Sequence, residues 1–259
     1  KKYQWQFPAS RAPALLRQLS ALEDQQSHFL LLESNGHRDA HSRVEWLCGW
    51  EAQHILSSSD QSLEALRGFH QKHKDWLLGH LSFELKNELE TLQSRHDDPW
   101  SWPHLSFFVP ATVLYCAQGI IHGESDHYPD PESILQDLPT PPEPQAMSVP
   151  EFTFGQGPKE YQERLNHLLR EIQYGTIYEI NFCLEAQAQG IADSPALYRY
   201  LNEQHQAPFT AFYRSEEQEL LSFSPERYLQ KRGRELISQP IKGTAPRSAD
   251  PRQDEAYKK

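Results

Sequence analysis

The sequence predicts an α+β protein. Three observations predict it. Apolar residues recur at helical spacing between Pro158 and Gly175. Clean alternation follows at once, from Thr176 to Ala188. Two pairs of short strand-like runs then come one after the other, 209–214 with 219–223 and 228–231 with 235–239, as antiparallel hairpins do.

The elements follow in order. Leu15 to Leu22 reads as a short amphipathic helix. His28 to Glu33 reads as a buried strand closed by a turn at Ser34-Asn35-Gly36. Ser62 to Phe69 is helical in pattern. Trp76 to Phe83 is a buried strand whose Gly79 allows a close backbone approach, and Glu84 to Leu92 follows as a polar helix. Leu105 to Gln118 is a strand in which Pro110 marks an edge or a bulge. Residues 129–158 hold eight of the 19 prolines, which predicts an extended loop and a boundary near residue 150.

Beyond it, Gly157-Pro158 opens a helix with Tyr161, Leu165, Leu168, Leu169 and Ile172 on one face, and Gly175 closes it. In the alternating run Tyr178, Ile180, Phe182, Leu184 and Ala186 share a face. Ser194-Pro195 starts another helix as cap and first residue. The last hairpin turns at Gly233-Arg234.

Composition excludes several classes of function. The 25 basic side chains are outnumbered by 36 acidic ones, a net charge of −11, which argues against nucleic acid as a partner. Small anionic substrates stay open, because a local field can oppose the net charge. No apolar run approaches the roughly 20 residues of a membrane helix, and the opening residues do not read as a secretory leader. Cys48, Cys116 and Cys183 form neither a metal pattern nor a disulfide framework, so a cytoplasmic location is expected. The chain opens on Lys1 and closes on Lys258-Lys259 in a charged run, and both ends read as cuts.

One arrangement carries chemistry. Continuing the register of the last hairpin brings Glu226 near Lys242, with Gly243-Thr244 beside the lysine. An acid, an amine, a hydroxyl and free backbone donors would meet at one strand end. Spacing alone favours a plainer reading, a cross-strand ion pair followed by a turn.

These residues resemble a known family. S-F-S-P-E-R-Y-L (222–229) and Q-P-I-K-G-T-A-P-R (239–247) resemble the paired signatures of the chorismate-utilising enzymes, and within them the component I branch of aminodeoxychorismate synthases. E-I-Q-Y-G-T-I-Y-E-I-N-F (171–182) resembles the family's helix-to-strand segment, with Glu179 where Gln is more usual. W-L-L-G-H-L-S-F-E-L (76–85) resembles its glycine-bearing strand, with His80 and Phe83 as departures. L-L-L-E-S (30–34), H-S-R-V (41–44) and A-P-F-T (207–210) resemble the segments that hold tryptophan in relatives.

The resemblance implies a sandwich of two antiparallel sheets flanked by helices, one intertwined domain. Residues 1–150 would form the N-terminal region with the tryptophan pocket, and 151–259 the first part of the chorismate-binding region. It implies Lys242 as nucleophile, Glu226 as general acid, and substrate contacts from Gly243 and Thr244. Ser34, Ser42, Arg43, Pro208, Phe209 and Thr210 would line the tryptophan pocket. The expected partners are chorismate, ammonia from a glutamine amidotransferase subunit, and L-tryptophan. The expected cofactor is Mg²⁺, with ligands beyond residue 259, so these 259 residues alone are expected not to turn over chorismate. Anthranilate synthase component I resembles the chain overall but carries P-I-A-G-T, so Lys242 favours amination without loss of the enolpyruvyl group. A non-catalytic tryptophan-binding relative and a scaffold for the amidotransferase are the other readings.

Overall fold

Two strands of 13 residues each form the middle of the main sheet. The computed structural model describes residues 2–22, 26–92, 98–140, 150–190, 193–241 and 246–257. The chain begins with β1 (Tyr3–Pro8), α1 (Ala12–Leu22), β2 (His28–Glu33), β3 (Trp46–Ser58), α2 (Ser62–His73) and β4 (Leu78–Leu81). It continues with α3 (Lys86–Leu89), β5 (Leu105–Ala117), β6 (Ile120–Ser125), α4 (Pro131–Asp137), β7 (Thr153–Phe154) and α5 (Pro158–Tyr174). The last elements are β8 (Ala186–Gln187), α6 (Ser194–His205), β9 (Phe209–Ser215), β10 (Gln218–Ser224), β11 (Arg227–Arg232), β12 (Glu235–Gln239) and α7 (Pro251–Tyr257).

The chain divides into two compact units, residues 1–142 with 198–259, and residues 143–197. The larger unit holds an eight-stranded antiparallel sheet in the order β1-β6-β5-β3-β2-β9-β10, with β4 beside β5. It also holds the two-stranded ribbon β11–β12. One sheet face is covered by Leu15 and Leu19 of α1, Ile134 of α4 and Tyr198 of α6, packed on Phe29, Trp50 and Phe212. Trp76, Trp102 and Tyr115 pack on a second cluster built on Leu30, Leu47, Val113 and Tyr213.

Local chemistry explains the joints. The turn after β2 has Asn35 and Gly36 at positive φ, 49° and 77°, where Asn and Gly cost least. Pro110 lies in the middle of β5, not at an edge, since β5 pairs on both sides. It falls between the stretches that pair with β4 (105–108) and with β6 (112–117), where that side of the ladder asks for no N–H. The bulge expected there exists on the partner strand: Ala52 faces Pro110, His54 faces Val109, and Gln53 is the extra residue. The N-terminus of α2 is satisfied from a distance. Glu88 accepts from the Ser62 backbone N–H (2.7 Å) and hydroxyl (2.5 Å), and meets His104 Nδ1.

Other expected elements differ. The strand expected over Trp76 to Phe83 shortens to Leu78–Leu81, and Phe83 is exposed on a 3₁₀ turn over Phe83–Leu85. That turn and the single turn α3 replace the polar helix expected to Leu92. The proline-rich loop contains α4, capped by Asp130 with Pro131 at its first position; residues 141–149 lie outside the described residues. The cap of α6 is Asp193, whose carboxylate accepts from the Ala196 N–H, so Ser194 is the first helical residue rather than the cap. β1 and β3 had no counterpart in the sequence reading, although Tyr3, Trp5 and Phe7 alternate with polar residues in β1.

In the smaller unit α5 has the bounds the sequence predicts. At its C-terminus Gly175 (φ 76°) donates to Ile172 O and Thr176 donates to Glu171 O, a Schellman closure. None of the expected apolar face of α5 is fully buried, and Tyr161 stacks on Phe182 at 5.1 Å. The strand expected from Thr176 to Ala188 pairs only at Ala186–Gln187, with β7. Tyr178, 93% exposed, meets no sheet neighbour, and alternation alone does not create a ladder.

Gly79 gives a direct test. A Cβ built there would lie 1.9 Å from Ser106 O and 2.7 Å from Phe107 Cα, both backbone atoms of β5. Gly79→Ala is expected to cost about 1–3 kcal/mol or more, since strand backbone cannot yield as a side chain does. Urea unfolding monitored by tryptophan fluorescence measures this, and an unchanged midpoint would contradict the close approach.

Candidate functional site

β2 and β9 run antiparallel with Glu33 opposite Thr210, so their chain ends open on the same place. There the sheet, the turn after β2 and the β11–β12 ribbon enclose a cavity of about 730 Å³. All six residues expected in the amino-acid pocket line it: Ser34, Ser42, Arg43, Pro208, Phe209 and Thr210. Their polar atoms are partly spent within the protein. The Ser42 hydroxyl donates to Asp39 Oδ1 (3.0 Å) and accepts from the Asp39 N–H (2.9 Å). The buried Thr210 hydroxyl donates to Glu33 O (3.2 Å). Ser34 donates its N–H to Glu45 O (2.9 Å), while the Arg43 side chain stands in an exposed position.

Of the charged residues on the cavity wall that the motifs do not single out, Glu33 and Arg227 make the most telling contacts. Glu33 accepts from the Tyr198 hydroxyl (2.8 Å) and from Asn202 Nδ2 (3.0 Å), both on α6. Burial raises its carboxyl pKa above the ordinary value, and the Tyr198 hydrogen bond offsets only part of this. Arg227 contacts Asp39 Oδ2 at 3.1 Å, bonds Gln239, and holds its guanidinium 5.0 Å from the centre of the Phe209 ring. Partial burial opposes ionisation of Asp39. The His41 N–H, the Ser42 hydroxyl and Arg227 outweigh it and hold the carboxyl well below the usual carboxylate range. Both Glu33 and Arg227 stood inside quoted motifs, L-L-L-E-S and S-P-E-R, and only their contacts single them out.

Glu226 sits in a tight turn: its N–H donates to Ser224 Oγ (3.2 Å), and the Ser224 hydroxyl donates to Glu226 O (3.1 Å). The ribbon register follows expectation from Arg232 opposite Glu235 to Gln230 opposite Ile237. A bulge then places Arg227 opposite Gln239 and interrupts the register from which the meeting of Glu226 and Lys242 is extrapolated. Lys242, Gly243 and Thr244 lie outside the described residues. Among the described residues no group of three or more His, Cys, Asp or Glu could hold a metal ion. No helix among them is long and apolar enough to cross a membrane.

The model of the chorismate binding enzyme family matches residues 18–259. The chain belongs to that family. It is 30% identical over 180 residues to aminodeoxychorismate synthase component 1 of Klebsiella aerogenes, covering 68% of this chain and 40% of that relative. It is 26% identical over 191 residues to anthranilate synthase component 1 of Thermus thermophilus, covering 69% of this chain and 41% of that relative. The chain therefore spans about two fifths of these chorismate-family relatives. In structure it is similar to the menaquinone-specific isochorismate synthase of Escherichia coli, with a TM-score of 0.58 at 14% identity over 99% of this chain and 57% of that one. The likeness establishes the α+β fold of the family.

Glu33 yields a prediction. Its folded pKa is raised, so its favourable contribution is present below the unfolded value and is lost as pH rises through the folded value. Glu33→Gln keeps the acceptor for Tyr198 and is expected to leave stability at pH 7 unchanged or higher. Glu33→Ala removes an acceptor from Tyr198 and Asn202 and is expected to cost about 1–3 kcal/mol. Denaturant titrations of both variants at pH 4 and pH 7 check this; a Gln variant as unstable as Ala at pH 7 would contradict it.

Proposed function

We propose that this chain is the N-terminal part of an aminodeoxychorismate synthase component I, converting chorismate and ammonia to 4-amino-4-deoxychorismate for para-aminobenzoate and folate synthesis. The observation that carries the reading is Lys242 in P-I-K-G-T, within a chain of the chorismate binding family. The names of relatives from Klebsiella aerogenes and Escherichia coli, the latter 34% identical over 96 residues, support it.

In this reading the Lys242 amine forms a bond to C2 of chorismate. Both ring double bonds shift one place toward C4, the C4–O bond breaks, and Glu226 gives its proton to the departing hydroxyl, which leaves as water. Ammonia then bonds to C4, the double bonds shift back, and the C2–N bond to Lys242 breaks. Hydroxide leaves poorly, so a positioned acid is worth about 10²–10⁴-fold. The amine attacks only when neutral, and lysine shifts readily when desolvated. An isolated Lys242–Glu226 ion pair would favour both wrong protonation states. Desolvation opposes both charged states, and the substrate's carboxylates oppose ionisation of Glu226. Mg²⁺ would balance those carboxylates, on ligands outside residues 1–259. Ammonia would come from a glutamine amidotransferase subunit, and the setting would be cytoplasmic.

The cavity is the proposed tryptophan site. Its volume falls within the usual range for small-molecule pockets, roughly 300–1,000 Å³. Calorimetry on the full polypeptide encoded by the source gene is expected to give saturable binding of L-tryptophan. Absence of heat at millimolar ligand, with no tryptophan released on denaturation, would remove this assignment.

The reaction is tested on the same polypeptide with chorismate, Mg²⁺ and ammonium, with products resolved by chromatography and mass detection. Aminodeoxychorismate, enolpyruvyl group retained, is the expected product. Glu226→Gln is expected to lower its rate about 10²–10⁴-fold, and Lys242→Ala to abolish it. Anthranilate with released pyruvate would overturn the reading in favour of an anthranilate synthase.

A further inference from the structure

Two-stranded ribbons are marginal on their own, so β11–β12 must be held by something else. Among the described residues its hydrogen-bonded strand neighbours are only each other. Side chains from β11 provide contacts to the turn after β2. Gln230 Nε2 donates to the His41 carbonyl at 3.3 Å, and Arg232 donates to the same oxygen. Arg227 adds the bond to Asp39.

These three residues would not share a face in a regular strand. Residues 230 and 232 do, and 227 would point the other way. The bulge changes this: two residues, Tyr228 and Leu229, stand between the paired positions Arg227 and Gln230, against one, Ser238, on β12. The extra residue turns Arg227 onto the side of Gln230 and Arg232, as bulges beside functional sites do. Tyr228 and Leu229 are left exposed, while the Arg227 side chain is only 11% exposed.

A guanidinium so far from water needs its donors filled. Arg227 meets that need in part from three separate segments, its Nη1 donating to two of them and its guanidinium lying over a ring of the third. Asp39 belongs to the turn after β2, Gln239 ends β12, and the Phe209 ring begins β9. Asp39 is itself fixed by the His41 N–H (2.8 Å) and the Ser42 hydroxyl. In sequence, Arg227 directly follows Glu226, and Gln239 stands three residues before Lys242.

We infer that Arg227 is a positioning residue: aimed by the β11 bulge, it staples the segments bearing the proposed acid and nucleophile to the Asp39 turn that walls the cavity. The inference rests on the proposed function for its catalytic consequence, but not for its structural one. Arg227 does not touch the reacting atoms. It fixes where two chain segments enter the site, and it makes the cavity wall and the catalytic ribbon one mechanical unit.

The test uses the full polypeptide with Arg227→Gln, Asp39→Asn, the double variant and Arg227→Lys. Arg227→Lys keeps the charge should the neutral variant fail to fold, but not the planar guanidinium that lies against the Phe209 ring. Steady-state kinetics is expected to show kcat down about tenfold or more in Arg227→Gln and Asp39→Asn, with KM for chorismate within about threefold. The double variant is expected to be no slower than Arg227→Gln alone, since both single changes break the same link. Hydrogen exchange without substrate is expected to rise about tenfold in residues 37–44 and 235–239, and to stay unchanged in β2 and β3. Arg227→Lys is expected to show the same pattern at smaller amplitude. Unchanged exchange in both segments, or single losses that multiply in the double variant, would overturn the staple. If the wild type makes no aminodeoxychorismate, the proposed function fails, while the exchange data still decide whether Arg227 ties the segments together.

Discussion

The antiparallel pairing of β3 with β5 is the constraint from which the larger unit is built. Their register runs from Trp46 opposite Cys116 to Ser58 opposite Leu105. Both are central, so every other strand of the sheet takes its place from one of them. The pairing works only because backbone can come close. Gly79 lets β4 sit against β5 with Ser106 O where a Cβ would be. The β3 bulge lets the ladder pass Pro110 without asking it for a hydrogen bond. β2 then lies on β3, and β9 on β2, which fixes the place where Glu33 and Thr210 end side by side. The cavity is thus a consequence of strand lengths: β2 stops at Glu33, and the chain must turn away over the sheet before returning as β3.

Charge in that cavity is handled in two different ways. Glu33 is met by neutral donors, the Tyr198 hydroxyl and the Asn202 amide, and burial pushes its pKa up. Asp39 is met by a cation and two further donors, and its pKa goes down. Burial raises the pKa of one carboxylate, and the donors around the other lower its pKa. Glu33 ends β2, and Asp39 lies midway along the excursion that leads to β3. A zwitterionic guest would find these two walls unequal: the ionised acid is already committed to Arg227, whereas the neutral-partnered one has no cation assigned to it by these contacts.

Much of the fold could be read in the sequence where one physical signal was sufficient. Pro158 and Gly175 bound a helix because each has a backbone preference that holds whatever surrounds it. The β9–β10 and β11–β12 hairpins are legible as consecutive strand-like runs, and Gly233-Arg234 adds turn chemistry to the second. The run from Thr176 to Ala188 misled for a complementary reason. Alternation says that a segment could sit half-buried in a sheet, but a strand also needs a neighbour, and period carries no information about that. β3 went unread because a buried central strand that turns polar halfway fits neither the alternating nor the continuous apolar template. At the site, the six residues gathered by motif line one cavity, while Arg227 carries no motif signal of its own. Its importance comes from a bulge, and a single extra residue in a strand leaves no pattern at the level of residue type.

The bulge also shows why the signature segments and the cavity cannot be treated as separate features. A ribbon whose backbone pairs with nothing but itself has few ways to hold an absolute position. Side-chain anchors must do so, and long flexible anchors cost rotamer entropy unless they are buried and multiply bonded. Arg227 is both, in a way that Gln230 and Arg232, which share one carbonyl, are not. A guanidinium whose Nη1 reaches both a carboxylate and an amide while its plane packs on a ring fixes orientation as well as distance. The ribbon therefore takes its position from the turn that begins at Glu33, and through β2 from the central strand pair. Any guest that displaced Asp39 would shift the ribbon with it.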